Sequence, residues 1–178
     1  QCDWSSDVCS SDLRLLERDF FKSENASFFS TVSAAATGVT TMTQTVDLKQ
    51  LVELIANQKA ANFNPSYILV SPAQQAKILI NTIDAGYYVG SGSVQIGTGG
   101  DITIWGVPLI AATWVTNDKA LVIDRDYIER IEVEGIAIEF SYEDNDNFEK
   151  NLVTARIECY EAINLMLPSS AIYATLNA

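Results

Sequence analysis

Histidine is absent from the sequence. That single gap removes His-based triads, imidazole general bases and imidazole metal sites together. Catalysis would have to run on carboxylates, lysine, tyrosine or cysteine. Positive charge is also scarce: 11 Lys and Arg stand against 23 Asp and Glu, a formal net charge of -12. Nucleic acids are held through cationic contacts that release counterions from phosphate, so sequence-specific DNA or RNA binding is not expected. No run approaches the ~20 consecutive apolar residues that a membrane-spanning helix needs, so a soluble chain with no membrane partner is expected. What is present is a globular composition, 48% hydrophobic and 19% charged over 178 residues. That length holds one compact domain or two small lobes sharing a sheet.

Cysteine is rare too, and two of the three fall in the opening segment QCDWSSDVCSSDL. Cys2 and Cys9 could suggest a small disulfide loop or half a metal site. However, residues 3–13 (DWSSDVCSSDL) resemble one reading frame of a common short-read sequencing adapter, as expected of assembled environmental DNA. Residues 1–13 are therefore set aside as non-native, and the native N-terminal portion is expected to be missing. The remainder is still acidic, and Cys159 is its only cysteine, so no intrachain disulfide is predicted.

Residues 14–32 read as the end of a helix, and residues 37–45, β-branched and polar, as an extended linker. Asp47 and Gln50 stand at capping-box spacing, with Leu48, Leu51, Val52 and Ile55 at one-face helical intervals. The cap should contribute about 1 kcal/mol. The run Asn62-Phe63-Asn64-Pro65 ends that helix, because proline disfavours helical geometry in the residue before it. Residues 67–70 form a short buried strand. Ser71 as N-cap, Pro72 at the first helical position and Gln74 as a second capping box open the next helix. Its buried face is predicted at Ala76, Leu79, Ile80 and Ile83, with a stop at 84–86. Residues 90–100 hold five glycines and read as a long flexible loop. Strands are predicted at 102–105, 107–112, 120–123, 128–132, 136–142 and 151–161. Ile136, Ile138 and Phe140 mark a half-buried strand. The order of helix, strand, helix, loop and many strands gives an α+β fold class.

Several stretches resemble, in order, the major capsid protein family of tailed phages, the Hong Kong 97 fold. Asn64-Pro65, residues 67–70 and Ser71-Pro72 resemble its Asn-Pro, strand, helix entry. Residues 84–88 are similar to its Asp-x-Gly-x-Tyr stretch, and residues 105–110 to its Leu-x-Gly-x-Pro-Val turn. Residues 121–124 resemble a strand ending in Gly-Asp, although Asp124 lacks the preceding glycine. Phe148, Asn151, Val153, Arg156 and Glu158 fall on the pattern before the C-terminal strand, with Tyr160 where a second Arg is frequent. Pro168 and Ala171 resemble the Pro-x-Ala ending with one residue more between them. The resemblance covers residues 64–172.

It implies the C-terminal part of a self-assembling shell subunit, not an enzyme. Residues 14–46 would be a partial peripheral segment and linker, 47–139 the axial domain and 140–178 peripheral strands. Gly90, Gly92, Gly97, Gly99 and Gly100 would lie in a loop at the capsomer axis. The implied partners are copies of the chain in pentamers and hexamers, with scaffolding and portal proteins, in a virion assembled in the host cytoplasm. No cofactor is implied. A bacterial encapsulin-type nanocompartment shell is the alternative on the same fold. A carboxylate-based hydrolase or β-rich binding module is the alternative from another class.

A phosphate cradle at residues 97–100 would need a following helix, and a strand follows instead. Asp144, Asp146 and Glu149 could hold Ca²⁺, but Phe148 occupies a ligand position of the loop spacing and no glycine follows, which favours a solvated turn. Cys159 has no histidine to generate thiolate and, with apolar strand-face neighbours, reads as a small inert core residue. Arg156 and Glu158 share a strand face and read as cross-strand or intersubunit ion pairs. Trp105 and Trp114 read as core or subunit-interface anchors. Lysine–asparagine cross-linking, known in some of the family, is not assigned to this chain.

Overall fold

The computed structural model describes residues 10–39, 42–84, 94–96, 101–145, 147–150 and 153–176. These fall into two units, one from residues 28–129 with 163–178 and one from residues 1–27 with 130–162. The glycines 90, 92, 97, 99 and 100, like Asp146 and Asn151, lie outside the described residues.

A mixed seven-stranded sheet organises the larger unit. Its strands are β1 (Thr37–Val39), β2 (Tyr67–Val70), β3 (Val94–Ile96), β4 (Ile102–Ile104), β5 (Val107–Ala111), β6 (Lys119–Ile123) and β9 (Ala171–Thr175), in the order β1-β9-β6-β2-β5-β4-β3. β2 runs parallel to β5 and antiparallel to β6, with Leu69 opposite Ile110 on one side and Leu121 on the other. Side chains alternate between the faces of a strand, and here both faces are buried. Ile68, Val70, Ala120, Val122, Ile172 and Ala174 pack with one cluster, and Leu69, Leu121, Ile123 and Ala171 with another. Phe29 and Val32, from helix α1 (Ser10–Ala35), belong to the second cluster, with Trp114 and Tyr173 ringing Phe29 at centroid distances of 5.9 and 6.0 Å.

Helix α2 (Asp47–Ala60) and helix α3 (Pro72–Asp84) carry the first cluster. The buried stripe of α2 is Asp47, Gln50, Leu51, Leu54, Ile55 and Gln58, spaced as one helical face, but half of it is polar. Their amide nitrogens are paired: Gln50 Nε2 donates to the Gln44 carbonyl at 2.7 Å, and Gln58 Nε2 to that of Ser170, while Gln58 Oε1 has no hydrogen-bond partner. Asp47 does not cap α2 as expected. Val46 holds the cap position with no side-chain bond, and the Asp47 carboxylate accepts from Gln74 Nε2 instead. The second capping box is accordingly half formed: Ser71 Oγ accepts from the Gln74 N–H at 3.2 Å, but the Gln74 side chain turns to Asp47. Nor does Pro65 end α2. Asn62, at φ 65°, donates to the Lys59 carbonyl and Phe63 to that of Gln58, a Schellman closure completed before the proline. In α3 the buried apolar residue is Ile78, while Ala76 and Ile80 are exposed, contrary to the expected face.

Three further differences follow from pairing that local pattern does not reveal. Thr37–Val39 is a strand rather than linker, because β9 offers it a parallel edge. Val94–Ile96, inside the expected loop, pairs antiparallel with β4. The segments expected as 128–132 and 136–142 are one strand, β7 (Ile128–Ser141), since nothing at Gly135 breaks it. Asp124, almost fully buried after β6, joins turns distant in sequence. Its Oδ2 accepts from the Asn64 N–H at 2.8 Å, its Oδ1 from the Asp126 N–H at 3.2 Å, and its own N–H donates to Ser170.

Asp47 is 3% exposed, and its Oδ1 has no hydrogen-bond partner. Burial raises its pKa, against the pull of Gln74 and Lys77 and with a smaller push from Asp118. The folded state therefore holds the proton more tightly than the unfolded chain. This residue's contribution to stability falls as pH rises from the ordinary carboxyl range through the folded pKa. Asp47→Asn removes that cost and keeps an acceptor for Gln74. Thermal denaturation should show a midpoint about 2–4 °C higher at pH 7, with the difference closing as pH falls into the ordinary carboxyl range. A lower midpoint at pH 7 would refute the argument.

Candidate interaction surface

β7 and β8 (Thr154–Leu165) form a two-stranded sheet. In the smaller unit, this ribbon leaves its apolar residues open. Val133 is 76% exposed, and Ile131, Ile136, Ile138, Phe140 and Tyr160 are each close to half exposed. By strand parity Ile131 and Val133 fall on one face of β7 and Ile136, Ile138 and Phe140 on the other. Alternation correctly marks Ile136, Ile138 and Phe140 as sharing a face, but they are exposed rather than half-buried against this chain. A lone two-stranded ribbon is marginal in water, and a concentration of open apolar side chains marks a surface for contact. Helix α4 (Asn147–Lys150) lies between the strands, and Asn147 Nδ2 ties the ribbon's end by donating to the Ser141 carbonyl and to Thr154 Oγ1.

Charge on the ribbon is arranged as arginines between carboxylates. Arg156 reaches Glu139 at 2.7 Å across the strands and Glu158 at 3.2 Å along its own, so the two residues singled out in the sequence meet within this chain. Arg156 and Glu139 are exposed, and such pairs set register more than they add stability. Their hydrogen bond holds the Arg156 proton more firmly than usual. Sequence patterning missed the second arrangement. Arg130 pairs with Glu24 of α1 and, at 2.5 Å, with Glu161 of β8, and both carboxylates are largely shielded. Glu24 and Arg130 are far apart in sequence, and no local signal joins them.

Cys159 is half-buried on the ribbon rather than a core residue, and burial, followed by the Glu161 and Glu132 carboxylates, pushes its thiol up, which disfavours thiolate. A shallow groove of about 380 Å³ is lined by Glu139, Asp144, Thr154 and Arg156, and its Glu139 carboxylate is engaged by Arg156 at 2.7 Å. Among the described residues, no group of three or more His, Cys, Asp or Glu could hold a metal ion, and no helix is long and apolar enough to cross a membrane. The two tryptophans differ: Trp114 is half-buried against Phe29, whereas Trp105 sits exposed at the β4–β5 turn.

If Arg130 clamps α1 and β8 through shared carboxylates, a double-mutant cycle on Arg130→Gln and Glu161→Gln should give a coupling of about 1 kcal/mol in denaturant unfolding. A coupling indistinguishable from zero would reduce the pair to an incidental contact.

Residues 11–171 match the sequence profile described as phage capsid protein. No curated protein matches in sequence. Among solved structures, the chain is similar to one from Mycobacterium phage Che8 (TM-score 0.67, 9% identity, 94% of this chain and 63% of that one). It is also similar to the capsid structure of cyanophage P-SCSP1u (0.63, 11%, 96% and 66%). A third likeness is to the holo-SrpI encapsulin complex of Synechococcus elongatus (0.66, 16%, 92% and 63%). The chain thus spans less than two thirds of these structures' lengths, and the likeness shows the α+β shell fold expected from the motifs. With the profile covering nearly the whole sequence, the chain belongs to the phage capsid protein family.

Proposed function

We propose that this chain is a structural subunit of an icosahedral phage capsid, acting through association with copies of itself and not through a reactive site. The observation that carries the reading is the open β7–β8 ribbon, whose apolar side chains this chain leaves in water. In a closed shell each contact can be modest, because symmetry repeats it and closure holds the assembly. Residues 47–139 would supply most of the lobe around each pentamer or hexamer axis. Residues 14–46 and 140–178 would serve peripheral contacts, the boundary falling inside the unbroken β7. The glycines 90, 92, 97, 99 and 100 would line the capsomer axis, where backbone freedom accommodates rings of different order. Arg156 and Glu158 could exchange intrachain for intersubunit pairing. The subunit would function in the virion after assembly in the host cytoplasm, with scaffolding and portal proteins as further partners. The net charge of -12 suits a lining that must release DNA rather than hold it.

A second reading has its own support, the likeness to the Synechococcus elongatus encapsulin complex. A nanocompartment shell would enclose protein cargo instead of a genome, and neighbouring genes distinguish the two: terminase and portal for a phage, a cargo enzyme for a compartment.

The test is expression of the intact reading frame, alone and with any scaffold encoded beside it, followed by electron microscopy. Closed particles are expected. Monomers alone across a wide range of salt and protein concentration would overturn both shell readings.

A further inference from the structure

The turn joining β4 to β5 is two residues long, since Ile104 pairs with Val107, and both turn residues have positive φ: Trp105 at 50° and Gly106 at 81°. Glycine, asparagine and aspartate adopt that backbone readily, and a bulky aromatic does not. Trp105 is nonetheless there, 46% exposed, with Lys59 Nζ 4.2 Å from its ring centroid. A ring held in a disfavoured backbone and left half in water contributes little to its own subunit. Lys59 adds a second observation. It comes from the last turn of α2, is exposed, and faces the ring rather than a carboxylate among the ion pairs of the described residues.

We infer that Trp105, with Lys59 against its face, is an anchor for contact with a second copy of this chain. The inference rests on the shell reading and gives it a specific residue pair. Charge complementarity selects the occupant: the chain carries 23 acidic residues to 11 basic, so another copy offers mainly carboxylate-bearing surface to an exposed cation. Tryptophan is among the residues that most often dominate such contacts when a partner completes their burial. In a ring the contact is heterologous, the turn of one copy seating on a different patch of the next.

The experiment compares the wild-type chain with Trp105→Asn, Trp105→Tyr and Lys59→Gln, by sedimentation velocity across protein and salt concentration and by thermal denaturation at dilution. Asparagine accepts the turn backbone, so Trp105→Asn should keep its midpoint within about 2 °C of wild type while weakening association about 30-fold or more. Trp105→Tyr should retain most of the association, and Lys59→Gln should weaken it and flatten its salt dependence. If wild type associates and Trp105→Asn does so equally, or if Trp105→Asn loses more than about 5 °C at dilution, the inference fails while the shell reading stands. If wild type never associates, the inference fails, and the shell reading is decided by the intact reading frame.

Discussion

Strand β2 has to bury both of its faces at once, and the larger unit is organised around that requirement. Ile68 and Val70 face the cluster built by Leu51, Leu54, Ile55 and Ile78 of the two helices. Leu69, between them, faces Phe29, Val32 and Val115. Burial of each such side chain is worth about 1.5–3 kcal/mol, so neither layer can be lost without stranding one side of the sheet. β6 and β9 repeat the alternation, which keeps the register from slipping by one residue: a slip would exchange the two sets.

Polar side chains close the gaps between these layers. Gln50, Gln58, Gln74 and Asp47 occupy the interior where apolar residues would be expected, and they tie helix α2 to neighbouring segments. Asp124 does the same for the turns that flank β2 and β6. Buried polar groups are costly unless paired, and the paired ones specify which segments meet. The unpartnered Oδ1 of Asp47 and Oε1 of Gln58 mark the places where this arrangement is least complete.

The smaller unit obeys a different constraint. Its ribbon has arginine–carboxylate pairs to hold register but no second apolar layer over its exposed residues. Completion of that surface by other copies is what we propose for this member of the phage capsid protein family. At 9–16% identity, what the structural likenesses share is the fold and not particular side chains.

Much of the framework was legible in the chain order of residues. Ser71-Pro72 announced the β2–α3 junction, and alternation marked the shared face of Ile136, Ile138 and Phe140, because caps and strand periodicity are local properties of the backbone. The family resemblance was legible for a related reason: stretches such as Gly106-Val107-Pro108 fall at turns, where local backbone geometry favours particular residues, as the φ of 81° at Gly106 does. Tertiary structure alone decided the rest. It determined that β1 and β3 are strands, that α2 buries glutamines, that Gln74 serves Asp47 rather than its own helix, and that Glu24 meets Arg130. Each depends on a partner distant in sequence, and whether an apolar strand face is covered depends on what packs over it, which periodicity cannot encode.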